Sequence, residues 1–223
     1  MAEHQVETDL EGASDLLRGA AILFIAAACG WLIMQMEILG ARILAPYFGS
    51  AVYVVMGSVI GVFLLSLAVG YTLGGWLSHR SGSQVTLAVC IGVAGAWLCG
   101  LPYAVRPLCD ALLDAGFDIT WGSLLAAFGL FAVPTCLLGT VSPTAVRWLT
   151  RDVTRSGFNT GLVFGVSTVA SFAGCIATAF YLVRLSMRRT VTGSGLALLA
   201  LAGAILLHAW LRKPRNQGAG EIA

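Results

Sequence analysis

Six stretches of this 223-residue chain are each apolar over a length that can cross the hydrocarbon core of a bilayer, which takes about 20 helical residues. They cover approximately residues 19–44, 51–77, 84–103, 121–138, 159–183 and 190–211. Lipid offers backbone N–H and C=O groups no water to bond, so such a run must close its own hydrogen bonds as a helix. The expected fold is all-α: a polytopic membrane protein of about six transmembrane helices. Composition agrees. The chain is 58% hydrophobic and 11% charged, with a mean hydropathy of +0.86, whereas soluble domains carry about a quarter charged residues. That leaves too few polar side chains to wet a folded surface, so membrane lipid is the expected solvent. Net charge is only +2, and without clustered Lys and Arg on one face no nucleic acid is expected as a partner.

The segments outside these stretches are short. Residues 1–18 form an acidic N-terminal tail with Glu3, Glu7, Asp9, Glu11 and Asp15, unlike the basic start of a secretory signal, and are expected to be mobile. Residues 212–223 form a basic C-terminal tail. Between the third and fourth stretches, residues 104–120 carry Arg106, Asp110, Asp114 and Asp118 interleaved with Leu108, Leu112, Leu113 and Phe117. That alternation suits an interfacial helix lying on the membrane, apolar side down. Lys and Arg concentrate on the cytoplasmic side of membrane proteins. With the N-terminus inside, Arg18, Arg80, Arg147, Arg151, Arg155, Arg212, Lys213 and Arg215 are cytoplasmic, and Arg42, Arg106, Arg184, Arg188 and Arg189 are outside. The larger inner set puts both termini in the cytoplasm.

The six cysteines show no CxxC spacing and the three histidines, His4, His79 and His208, are dispersed. No metal, no cofactor and no nucleophile–base pair is therefore expected. A shift of 108 residues lays Gly49 on Gly157, Gly57 on Gly165 and Arg80 on Arg188. Three helices separate the copies, so a 3+3 repeat of this kind has inverted topology, as in secondary transporters.

Small residues mark two of the helices. Gly57 and Gly61, then Gly70 and Gly74, stand four apart in the second; Gly161 and Gly165 do so in the fifth, followed by Ser167, Thr168 and Ser171. Helices in lipid associate through close backbone approach and interhelical hydrogen bonds, which such spacing permits. The six glycines are thus candidates for the tight centre of the bundle. The three hydroxyls either bond their own helix or line a path for a polar solute.

The first helix carries Glu37 and Arg42. A carboxylate inside a bilayer costs about 2.5–3.5 kcal/mol on insertion scales. Arg42 lies about 140° around the helix from Glu37, a poor partner on the same straight rod. Either the helix breaks near Pro46 and frees Arg42, or Glu37 pairs with another helix. Glu37 is therefore either half of a buried ion pair or a proton- or cation-binding group. Near the fourth helix, Ser142 followed by Pro143 reads as a helix start. Arg147, Arg151 and Arg155 then form a basic stripe, suited to anionic headgroups or to an acidic partner.

Taken together, "EILGARILAPYFGSAVYVVMGSVIGVFLLSLAVGYTLGGWLSHR", "LLGTVSPTAVRWLTRD", "GLVFGVSTVASFAG" and the later "RRT" resemble the membrane-spanning region of bacterial spermidine-synthase-like proteins, homologues of polyamine aminopropyltransferases. The "GGWLSHR" turn also resembles the signature loop of major-facilitator transporters. The first resemblance implies a multi-pass protein of the bacterial inner membrane. Fused members continue into a soluble transferase domain; with twelve residues after Leu211, none is expected here. The implied function is a non-catalytic anchor, scaffold or accessory subunit for a separate aminopropyltransferase-like enzyme or a larger complex. The alternative is a small-cation or polyamine transporter acting as a homodimer, with Glu37 binding the charge.

Overall fold

The computed structural model describes residues 2–49, 52–81, 83–150 and 156–211, with side chains from residue 16 onward except at residue 52. Arg151, Arg155 and residues 212–223 lie outside the described residues. Helices α1 (Ala2–Phe48), α2 (Val52–Arg80), α3 (Gln84–Asp114), α4 (Ile119–Gly139), α5 (Val141–Leu149), α6 (Ser156–Phe180) and α7 (Met187–Leu211) follow one another, with a single 3-10 turn at Leu182–Arg184. They supply six apolar spans, α4 and α5 together making the fourth. Among the described residues there is no strand. The chain is an all-α polytopic membrane protein.

Several elements run longer than the apolar stretches. Residues 2–18 are the first part of α1. That helix also passes through Pro46, whose ring removes only the one N–H that would reach the Arg42 carbonyl. It stops at Gly49, which takes φ +75° and donates its N–H to the Ala45 carbonyl at 3.0 Å, a turn that glycine makes at least cost. Residues 104–114 are no separate surface element: α3 continues through Pro102 and Pro107 to Asp114. Asp118 instead starts α4, its Oδ1 accepting the Trp121 N–H at 3.0 Å. Ser142 does not start a helix either. The chain bends at Thr140, and Ser142 is buried in the first turn of α5.

Proline in a span leaves a carbonyl without its donor, and neighbours must supply one. Pro134 in α4 deprives the Leu130 carbonyl. The Trp97 indole N–H of α3 takes it at 2.9 Å, fastening α3 to α4.

Three pairings dominate the bundle: α1 with α6, α2 with α4, and α3 with α7. The first two are parallel. Gly30, Trp31 and Arg42 of α1 meet Ser167/Ser171, Gly174 and Val183 in ascending order, and Gly70 and Gly74 of α2 meet Cys136 and Thr140 likewise. The third is antiparallel and centred on two glycines: Gly95 lies against the Gly195 carbonyl, and Gly195 against that of Gly95. Exchanging the first three spans for the last three carries α1·α6 onto α4·α2 and α3·α7 onto itself. A continuous core holds Leu39, Leu44, Phe48, Phe63, Ile91, Leu98 and Phe131, while Phe24, Phe172 and Trp210 project outward, as a lipid-facing surface requires.

Candidate functional site

One group of polar side chains in the spans stands where α1 meets α6 and α7. A Cβ on Gly30 would stand 2.6 Å from the Ser167 carbonyl and hydroxyl and 2.9 Å from the Ser171 hydroxyl, and one on Gly174 would stand 2.7 Å from the Trp31 carbonyl. Only glycine permits backbones this close. Seven residues on, a helix returns to within about 20° of the same face. Glu37 is therefore two turns along from Gly30, and Thr178 two turns along from Ser171. Because the helices are parallel, the two stand level in the same seam. Glu37 is half-buried and makes no hydrogen bond or ion pair with any described residue. Thr178 is fully buried, and its hydroxyl also has no partner.

Ser167, Ser171, Gly174 and Thr178 thus form one hydroxyl-bearing stripe beside the carboxylate. Thr168 does not join it; its side chain is exposed, about 100° around α6 from Ser167. Arg42 is held further along the seam, donating to the Val183 carbonyl. α1 does not break to release it, and it does not pair with Glu37.

Two turns before Arg42, at Gln35, a relay crosses to α7. The Trp31 indole N–H donates to Gln35 Oε1 at 3.1 Å, Gln35 Nε2 donates to Ser194 Oγ at 2.6 Å, and Ser194 Oγ donates to the Thr190 carbonyl at 3.0 Å. Gln35 is 3% exposed, and every polar atom of its amide is used. Sequence reasoning passed over Gln35, Ser194 and Thr178. Gln35 had a signal, as an amide in the middle of an apolar span. Thr178 had a weaker one, continuing the Ser167, Ser171, Gly174 spacing. Ser194 had none, because its partner is 159 residues away.

Of the six packing glycines, Gly70 and Gly74 are seated against Cys136, Gly139 and Thr140 of the fourth span. Gly57, Gly61, Gly161 and Gly165 are not: a Cβ on any of them meets nothing within 4 Å. Their faces lie outside the bundle. Arg147 is exposed at the end of the bundle where α5 lies, and Arg151 and Arg155 lie outside the described residues. Among the described residues, no three His, Cys, Asp or Glu side chains converge.

Fold and seam together define a polytopic α-helical membrane protein with an unpaired carboxylate in its first span. No family model, curated protein or solved structure matches the chain.

Proposed function

We propose that the protein carries a small cation or a polyamine across the membrane, with Glu37 taking the charge. One observation carries this reading: a half-buried carboxylate without a partner stands level with a buried hydroxyl without a partner, in a seam already lined by Ser167 and Ser171. An ionisable group in a span is costly, and binding a charge is the use that accounts for keeping it. The symmetric pairing of the two halves supports an inverted 3+3 repeat, the plan of many secondary carriers. Six helices then act as a homodimer in a bacterial inner membrane, with both termini cytoplasmic as the Lys and Arg distribution favours.

Uptake by proteoliposomes tests it. Labelled monovalent cations and polyamines are offered to wild type and to Glu37→Gln. Transport by wild type that falls about 100-fold or more in the variant, the scale of losing a charge partner, supports the reading; equal uptake removes Glu37 from any mechanism.

A second reading rests on a different observation, the uncovered glycine faces of α2 and α6. They suit a module that anchors or assists another membrane polypeptide, such as an aminopropyltransferase-like enzyme, with the exposed Arg147 available to lipid or to an acidic surface. Recovery of a stoichiometric partner from native membranes in mild detergent favours this reading over the first.

A further inference from the structure

We infer that the end of the bundle where α6 turns into α7 binds the phosphate of an anionic phospholipid headgroup. Four arginines meet there: Arg42 in the last two turns of α1, Arg184 in the 3-10 turn, and Arg188 and Arg189 in the first turn of α7. The register of the helices brings them together. α1 runs with α6, and the turn after α6 reverses the chain, so α1 and α7 are antiparallel. Gln35 of α1 meets Ser194 of α7. Arg42 is seven residues beyond Gln35, and Met187 is seven residues before Ser194. Arg42 is therefore level with the start of α7 and, to within about 20°, on the face of α1 that meets it. Its bond to the Val183 carbonyl holds it beside Arg184.

Charge and surroundings choose the occupant. All four side chains are exposed, and none has an ion pair among the described residues. Of the acids at this end, Asp110 stands two turns beyond Tyr103 on α3 and is already bridged to Arg106 at 3.5 Å. Asp114 and Asp118 lie further along the chain still, and Glu37 is about 140° around α1 from Arg42. Arg42 gives one N–H to Val183 and keeps the rest of its five. Arg188 lies over the Tyr103 ring at 4.5 Å, a contact that takes the guanidinium by its face and leaves the N–H donors at its edge. The open first turn of α7 adds backbone N–H groups and the positive end of its dipole. Charged, planar donors of this kind fit a phosphate. Lipid supplies it, because the patch borders the lipid-facing surface: Phe180, Tyr181, Leu185 and Tyr103 beside it are exposed, and tyrosine sits at headgroup level. In the orientation proposed above this end is outside, where Lys and Arg are sparse, so four arginines at one turn need a use of their own.

The site does not rest on Glu37 and is tested without transport. Native mass spectrometry of the purified full chain, in detergent titrated with phosphatidylglycerol or phosphatidylcholine, reads the dissociation constant of the first bound lipid. The wild type binds phosphatidylglycerol the more tightly. Arg184→Gln and Arg188→Gln each weaken that binding roughly fivefold, the worth of one basic residue at an anionic surface. Arg80→Gln is the matched control: it removes an arginine that also stands over an aromatic ring, Trp76, but at the other end of α2 from Val52, and binding stays at the wild-type value. A loss in either variant that Arg80→Gln does not share supports the assignment. Equal affinity for the two lipids, wild-type affinity in both variants, or an equal loss in Arg80→Gln each overturn it. So does glycerol phosphate, the headgroup without its chains, binding as tightly as the lipid. If the variants misfold, photo-crosslinking of the wild type by phosphatidylglycerol with a diazirine in its headgroup carries the test. Label between Tyr181 and Arg189 supports the site, and label confined to other helix ends overturns it.

Discussion

Gly74 and Gly75 are neighbours in α2 and respond to an added methyl group in opposite ways. A Cβ at Gly74 would stand 2.6 Å from the Thr140 Cα and 2.7 Å from its carbonyl oxygen, whereas one at Gly75 meets nothing within 4 Å. Backbone atoms cannot swing aside as a flexible side chain can. Gly74→Ala is expected to destabilise by about 1–3 kcal/mol, the range for overpacking. Gly75→Ala is expected to stabilise by about 0.5–1 kcal/mol, since alanine restricts the unfolded chain and favours helix. Thermal unfolding of both variants in one detergent measures the pair. A loss at both positions, or at neither, contradicts the α2·α4 contact described above.

At the scale of the element, Trp97 and Pro134 make a matched pair. The proline leaves the Leu130 carbonyl without its helical donor, and the indole replaces it at 2.9 Å. Trp97→Phe in the wild type strands that carbonyl and is expected to cost about 1–2 kcal/mol, an unsatisfied buried acceptor together with lost packing. Pro134→Ala restores the backbone N–H, and in that background Trp97→Phe loses only the packing. The double-mutant cycle read by thermal unfolding should give a coupling of about 1 kcal/mol; a coupling of zero means that the indole is not the carbonyl's donor. This dependence between helices also marks what the sequence could reveal. Six spans were legible because each is apolar along its own length, and Glu37 because one charge stands out against that background. Gly74 and Gly57 occupy the same kind of four-residue spacing, yet only Gly74 is covered. Nothing on one helix records which of its faces another helix takes. The level of Glu37 with Thr178 required the parallel register of α1 and α6, a relation between residues 141 apart. Pro46 left a helix break open that does not occur: α1 passes through it to Phe48, because a proline removes only one N–H from the ladder.

For the whole molecule, the uncovered glycine pairs Gly57/Gly61 and Gly161/Gly165 bear on whether the bundle is the complete unit. Where this fold packs helices closely, glycine stands at the contact, as at Gly30, Gly70, Gly74, Gly95, Gly174 and Gly195. Gly57 and Gly61 on α2, and Gly161 and Gly165 on α6, have the same spacing with only open space beyond them. Glycine inside a helix is about 1 kcal/mol worse than alanine, a cost with no return inside the single chain. A second helix against each face would supply the return, through close backbone approach. Both the homodimeric carrier and the accessory module need such a contact, so the faces can be tested before the function is known. Gly61→Leu and Gly165→Leu should leave the isolated chain as stable as wild type or stabler by about 0.5–1 kcal/mol. Energy transfer between labelled copies in a bilayer should fall, with self-association weakened roughly tenfold or more. If self-association is unchanged while a co-purified polypeptide is lost, the faces belong to that partner and the accessory reading gains. If neither changes, the glycines face lipid and the bundle works alone.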